Sequence, residues 1–490
     1  MMTKTTQSID IDASDKDVSS PNDVTPELLT NLLASHYQKS SCVSGARKVA
    51  SLQWQPLGRG ALSNVQILNV YYEPSSPSGN DNNRNILQQS PSRQFLAKFR
   101  KEEIPLEDLF PVEGQFYNLA SVMGDGANDD ALSPKNSNSN ELFPFRLVDA
   151  IASGPNWILL KYIPPNNINV IDVHEGCPSN KFHDLLIRLA RMHAICWVSN
   201  TDNLNPIALI LRENTNKLSS APGAGHTLPP SVRQEQFLPA WPQVRERLVP
   251  YFQSNEGEVS IQKLDQIVSW ISQSSRIVDI AKAVAEMRCT LVHGDYHIGN
   301  MLLPKTKVLI GTDNVDGEEE LEKQRIMPWL VDWSMAGIGN PCVDLVFFLV
   351  VGAHIIPIHE EVVAGVTSNG HAYQSTKSIT EESVTMVLKQ YYQELISAHE
   401  PQGGAEEPDK MPSQKAQQSL LAWDTFLTMF SQCIFNQFII LVCYDSVCRG
   451  MADASSDSSK VYHDHFDRVN VRCARILISS FGSSRMLDSS

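Results

Sequence analysis

Apolar residues recur along this chain in two periods, and the dominant period changes about a third of the way along. Leu28, Leu29, Leu32 and Leu33 share one face of a helix expected over 26–38. Thr25 can cap it, Pro26 suits its first turn, and Glu27 complements its dipole. Residues 49–72 read as two strands around a glycine-containing turn; the second, 64–72, is rich in Val, Ile, Leu and Tyr. A short strand at 94–100 comes next. A helix is expected over 106–122, with Leu109, Val112, Phe116 and Leu119 at helical spacing, then strands near 144–151 and 156–163. Pro164 and Pro165 break the chain, and beyond them the helical period dominates. Helices are expected at 181–198, 236–252, 258–274, 277–287, 343–354, 380–398, 416–448 and 460–481. Two short strand signals, near 289–303 and 327–333, interrupt them. Polar, Gly/Pro-bearing stretches at 74–93, 124–140, 199–235, 366–378 and 400–414 read as connections or insertions.

The resulting division is a disordered tail over 1–24, a strand-dominated region over 25–163 and a helical region over 164–485. The tail has no apolar core and carries Asp10, Asp12, Asp15, Asp17 and Asp23, which fits neither a secretory signal nor a transit peptide. Phe426 to Tyr444 is apolar and nearly long enough to span a bilayer, but Ser431, Gln432, Asn436 and Gln437 would be costly in lipid. A buried helix, and no membrane span, is the expectation.

Composition changes the picture only in part. With 490 residues, 42% hydrophobic and 19% charged, the chain is globular rather than collagen-like, coiled-coil or mostly disordered. Forty basic against 55 acidic residues give a net charge of −15, which disfavours general nucleic-acid binding. The balance suits a cationic small molecule, but it equally serves solubility. Nine scattered cysteines without a CxxC pair indicate neither a disulfide framework nor a zinc site, and imply reduced thiols in the cytoplasm.

Two segments carry candidate chemistry: Leu291-Val-His-Gly-Asp-Tyr-His-Ile-Gly-Asn300, and the stretch from Trp329 through Asp332 and Trp333 to Asp344-Leu345. Each sets polar residues directly after an apolar strand, where catalytic groups commonly sit. Phosphoryl transfer needs a positioned nucleotide, oxygen ligands for Mg²⁺ and a group that orients the attacking hydroxyl. Asn300 and Asp332 are suitable oxygen ligands, and Asp295 could accept a hydroxyl proton. Gly58-Arg-Gly60-Ala-Leu-Ser63, between two strands, could let backbone N–H groups approach phosphates. Lys98 lies among Phe95, Leu96, Ala97 and Phe99 and could reach phosphate oxygens, with Glu113 holding it by an ion pair.

This constellation resembles the aminoglycoside phosphotransferase/choline kinase superfamily of small-molecule kinases. His293, Gly294, Asp295 and Asn300 match its His-Gly-Asp-x-x-x-x-Asn pattern, and Asp332-Trp333, Gly339, Pro341, Asp344 and Leu345 match its metal-binding segment. Asp344-Leu-Val-Phe-Phe-Leu349 and Glu113-Gly-Gln-Phe-Tyr117 look like the ecdysteroid-kinase-like branch. The resemblance implies an α+β, protein-kinase-like two-lobed fold with a β-rich N-lobe, a hinge near 161–166 and a large helical C-lobe. It implies ATP and Mg²⁺ as cofactors and a small-molecule hydroxyl as acceptor. Asp295 would be the catalytic base, and Asn300 and Asp332 the metal ligands. Gly58, Gly60, Ser63, Lys98 and Glu113 would serve the nucleotide, and His293 and Asp344 would brace the catalytic loop. The alternative is a catalytically inactive pseudokinase that binds a ligand or partner. Lys161-Tyr162-Ile163 stands where many relatives have an acidic residue.

Overall fold

The computed structural model describes residues 18–39, 48–59, 63–73, 93–101, 112–117, 143–198, 228–252, 257–273, 275–305, 327–352, 379–398, 421–451 and 457–480. They form two compact units. One comprises residues 1–132 and 147–168, the other residues 133–146 and 169–490.

The first unit is built on a five-stranded antiparallel sheet. Its strands are β1 (Val49–Arg59), β2 (Ser63–Tyr72), β3 (Arg93–Arg100), β4 (Ala150–Ser153) and β5 (Trp157–Lys161), in the order β1-β2-β3-β5-β4. Side chains alternate between sheet faces. On β3 this sends Phe95, Ala97 and Phe99 to one face, where they are buried with Leu28, Leu29, Leu32 and Leu33 of α1 (Pro26–Lys39). Each such leucine contributes about 1.5–3 kcal/mol when fully buried. Thr25 Oγ1 caps α1 by accepting the Leu28 N–H at 3.1 Å. Thr30 Oγ1 accepts the Val49 N–H at 3.0 Å and ties the helix to β1. The alternate face of β3 carries Lys98.

Residues 18–24, read from the sequence as tail, join this core. Asp23 Oδ2 accepts the Ser20 N–H at 2.7 Å across a turn over Pro21–Asp23, and Val18 and Val24 are buried. Gly58 lies within β1, opposite Val65, rather than in the connection that follows. Gly60 lies outside the described residues. The strand expected near 144–151 is confined to Ala150–Ser153. Residues 143–146 group with the second unit, because the backbone of Arg146 bonds Pro328 and Leu330 and its guanidinium stacks over Trp329.

In the second unit, α2 (Ser179–Ile195) packs against α7 (Glu381–Ser397). The long apolar α8 (Trp423–Met451) packs against α3 (Pro230–Leu248), α5 (Arg276–Glu286), α6 (Cys342–Phe347) and α9 (Asp457–Ser480). The remaining described helix is α4 (Gly257–Ile271). Trp423–Asp445 is long and apolar enough to cross a membrane, but most of its apolar window is buried inside the unit. Helix α3 begins six residues before the expected start, with Pro230 in its first turn. It carries Pro239 and Pro242 in its interior, and the buried Phe237, Trp241, Val244 and Leu248 hold it in place. Among the described residues, Cys177, Cys196, Cys289, Cys342, Cys433, Cys443 and Cys473 are free thiols.

Candidate active site

Very short strands position the second unit's chemistry. Here β6 is Ile168–Val170, β7 is Thr290–Val292, β8 is Met301–Pro304, β9 is Trp329–Leu330 and β10 is Gly337–Gly339. β7 pairs with β10, and β8 pairs with β9. The chain runs from β7 to β8 through residues 293–300 and from β9 to β10 through residues 331–336. The crossed pairing therefore lays the two loops side by side. The Val331 N–H donates to the Asn300 carbonyl at 3.0 Å.

Loop 293–300 is held from beneath by Asp344, which is fully buried on α6. Its Oδ2 accepts the His293 N–H and its Oδ1 the Gly294 N–H, each at 2.7 Å. Gly294 has φ +82°, and a Cβ there would stand 2.3 Å from the Met335 carbonyl oxygen, so the turn requires glycine. His293 donates from Nε2 to the Val331 carbonyl at 2.9 Å, and its Nδ1 accepts the Asp295 N–H at 3.3 Å. Burial lowers its pKa, against the nearby Asp344, Asp295 and Asp332 charges. Tyr296 anchors the loop to α2, its hydroxyl donating to the Leu185 carbonyl at 2.9 Å.

Asp295 projects from this frame with its side chain 26% exposed. Asn300 Nδ2 donates both to the Asp295 carbonyl and to its Oδ2, each at 2.9 Å. His297 Nε2 stands 3.4 Å from the same Oδ2. Burial pushes the Asp295 carboxyl up, but His297, by hydrogen bond and charge, outweighs it with help from His293 and against Asp332. The net pKa lies below the ordinary aspartate value, so the group is ionised at neutral pH.

Asp332 is the single described non-glycine residue with positive φ (64°, ψ 63°), and Ser334 Oγ donates to its Oδ1 at 3.0 Å. Left-handed backbone at a residue other than glycine costs about 1–3 kcal/mol and clusters at functional sites. Asn300, whose amide nitrogen is committed to Asp295, keeps its amide oxygen for another partner. That oxygen and the Asp332 carboxylate are hard donors of the kind Mg²⁺ prefers. No group of three His, Cys, Asp or Glu among the described residues could hold a metal alone. A donor set this small fits an ion that takes its remaining ligands from phosphate and water.

In the first unit, Lys98 Nζ lies 3.0 Å from both Oε1 and Oε2 of Glu113, with side-chain exposures of 10% and 1%. Glu113 belongs to the helical segment 112–117. A Cβ at Gly114 would stand 2.9 Å from the Ser153 Cβ, so this helix approaches β4 closely. Ser63, which begins β2, is buried, and its backbone pairs with Arg100. Removing one partner of a buried ion pair costs about 3–5 kcal/mol, whereas replacing both by apolar groups is often neutral. Glu113→Ala is therefore expected to lower the unfolding free energy read from urea denaturation by that amount, with a lower midpoint, and Lys98→Met with Glu113→Leu to recover most of it. Equal midpoints for wild type and Glu113→Ala would show that the pair adds no stability.

The spacing of motif residues pointed to Asp344 but not to what holds it. His193 of α2 is fully buried, with Nε2 3.2 Å from Asp344 Oδ2 and Nδ1 bonded to the Tyr391 hydroxyl of α7. Burial raises the Tyr391 pKa well above its ordinary value and keeps the hydroxyl a donor. A histidine inside the apolar stripe Leu185, Leu186, Leu189, Met192 was the available signal.

The paired short ribbons, the left-handed aspartate and the strand-borne lysine paired with a helical glutamate are those of a kinase-like α+β protein. The profile of the ecdysteroid kinase-like family matches residues 94–355, more than half of the chain. The chain belongs to that family. No curated protein sequence matches it. Among solved structures, it is similar to a Ralstonia eutropha JMP134 protein assigned as an aminoglycoside phosphotransferase (12% identity, 92% of this chain and 98% of that one, TM-score 0.40). It is also similar to Plasmodium vivax ethanolamine kinase (9%, 94% and 91%, 0.36) and to the gentamicin complex of APH(2")-IIa (10%, 91% and 97%, 0.34).

Proposed function

We propose that this chain is an ATP- and Mg²⁺-dependent phosphotransferase acting on a hydroxyl of a small molecule in the cytoplasm. The balanced reaction is ROH + ATP → ROPO₃ + ADP + H⁺, charges omitted. The observation that carries the reading is the Asp295 carboxylate, bonded through Oδ2 to Asn300, on a loop laid beside the Asp332 loop. Asp295 Oδ1 takes the acceptor's proton as the O–P bond forms. Asn300 and Asp332 would hold Mg²⁺, which supplies neutralisation of phosphate charge when bound. Lys98, kept in place by Glu113, would bind the α- and β-phosphates, and Ser63 and the Gly58–Gly60 segment would border them. His293 and Asp344 act on the loop rather than on the substrate.

Thermal shift with ATP and GTP, each with and without Mg²⁺, tests this. A ligand that binds only the native state at about 100 times its Kd stabilises by about 2.7 kcal/mol. A Mg²⁺-dependent shift with ATP is expected in the wild type, and its loss is expected in Asp332→Ala. A screen of small alcohols for ADP release would then define the acceptor. A folded sample that shifts with neither nucleotide would replace this reading by that of a non-catalytic binding protein.

A further inference from the structure

We propose that His297 is a positioning residue for Asp295, an inference that rests on the reading of Asp295 as the base. Three contacts fix its ring. Its Nδ1 accepts the Gly299 N–H at 3.0 Å, which places the ring proton on Nε2. Its ring stacks on Phe347, with centroids 6.1 Å apart and planes at 29°. Its backbone lies under a π-helical turn, Phe348–Gly352, where a Cβ on Gly352 would come within 3.4 Å of the His297 Cα. Such turns inside helices often mark functional sites. So oriented, Nε2–H faces Asp295 Oδ2 at 3.4 Å. That distance is long for a hydrogen bond, and catalytic contacts of this kind often tighten only when substrate is bound.

The consequence is an assignment of atoms. Asn300 Nδ2 and His297 Nε2 both address Oδ2 and leave Oδ1 turned to the acceptor. A carboxylate held on one oxygen by two donors cannot rotate its other oxygen away from the attacking hydroxyl. His297 therefore contributes by fixing which oxygen receives the proton, not by touching substrate.

Two measurements test this. The first is independent of turnover: side-chain spectra of ¹⁵N-histidine-labelled full-length protein, with the His297 signals identified by their loss in His297→Gln. The Nε2–H tautomer is expected, with a proton resonance that moves in Asp295→Asn. An Nδ1–H tautomer, or a resonance indifferent to Asp295→Asn, would overturn the proposal. The second uses ATP with Mg²⁺ and water as acceptor, following ADP release. His297→Ala is expected to lose about 10–100-fold in kcat with unchanged KM for ATP and unchanged melting temperature, and His297→Gln, which keeps a donor, to recover most of it. Wild-type kcat in His297→Ala alongside an inactive Asp295→Asn would refute positioning while sparing the base. Wild-type kcat in Asp295→Asn would remove the base assignment and this inference with it.

Discussion

Asp295→Asn is expected to lower kcat by about 10³-fold and leave ATP affinity unchanged. A positioned general base contributes about 10²–10⁴-fold. The geometry explains why asparagine, although the same shape, should fall in the upper part of that range. Asn300 Nδ2 donates to one carboxylate oxygen, and His297 Nε2 faces the same oxygen at 3.4 Å. The amide oxygen of the substituted residue must face those donors, which leaves its NH₂ where the acceptor hydroxyl is to be received. That group donates and cannot take a proton. The loop itself should survive, because its anchors are the backbone bonds of His293 and Gly294 to Asp344 and the Tyr296 hydroxyl on Leu185. ADP release with an acceptor from the screen gives kcat, and calorimetric titration gives ATP affinity. Retention of more than a tenth of the wild-type rate would refute a proton-accepting role. In the wild type the Asp295 pKa lies below its ordinary value. Protonation of this group should therefore not depress kcat/KM until the pH falls below the range in which an ordinary aspartate titrates.

The site was legible where its geometry is local. Asp295 and Asn300 lie five residues apart in one tight loop, so spacing alone could bring them together. The sequence puts Lys98 on a strand among Phe95, Leu96, Ala97 and Phe99 with Glu113 as its partner, and the strand's alternation, which takes it off the face of Phe95 and Phe99, allows that ion pair. What escaped the sequence depends on distant partners. Nothing near Arg146 says that its backbone will bond across nearly two hundred residues to Pro328 and Leu330, so the strand expected at 144–151 begins late. The helix expected over 236–252 forms in spite of Pro239 and Pro242, held by Phe237, Trp241 and Val244 through packing on α8, but that expectation omits its first turns from Pro230. β10 is three residues long, two of them glycine, and exists only through its pairing with β7. His193 and Tyr391 lie 198 residues apart, and their contact becomes meaningful only once α2 and α7 are packed.

That same network makes Asp344 a stability-critical side chain of the second unit. Three donors converge on its buried carboxylate: the N–H groups of His293 and Gly294 at 2.7 Å and His193 Nε2 at 3.2 Å. In Asp344→Ala all three lose their acceptor where water has no access, at about 1–3 kcal/mol for each unsatisfied buried group. Relief of the carboxylate's own desolvation offsets part of this, and breaking such buried clusters typically costs about 3–5 kcal/mol net. Native domains are stable by only about 5–15 kcal/mol, so much of the second unit's margin would go. Asp344→Asn should be nearly as damaging, since its NH₂ must face either Gly294 N–H or the His293 and His193 donors. Tyr391→Phe removes only the outermost hydroxyl of the chain and should cost about 1 kcal/mol. Urea denaturation should place the three variants in that order, and amide hydrogen exchange should reveal lost protection at His293 and Gly294 in both Asp344 variants but not in Tyr391→Phe. Wild-type protection at those two amides in Asp344→Ala would mean that the loop is held by other contacts, of which the Tyr296 anchor to Leu185 is the strongest alternative.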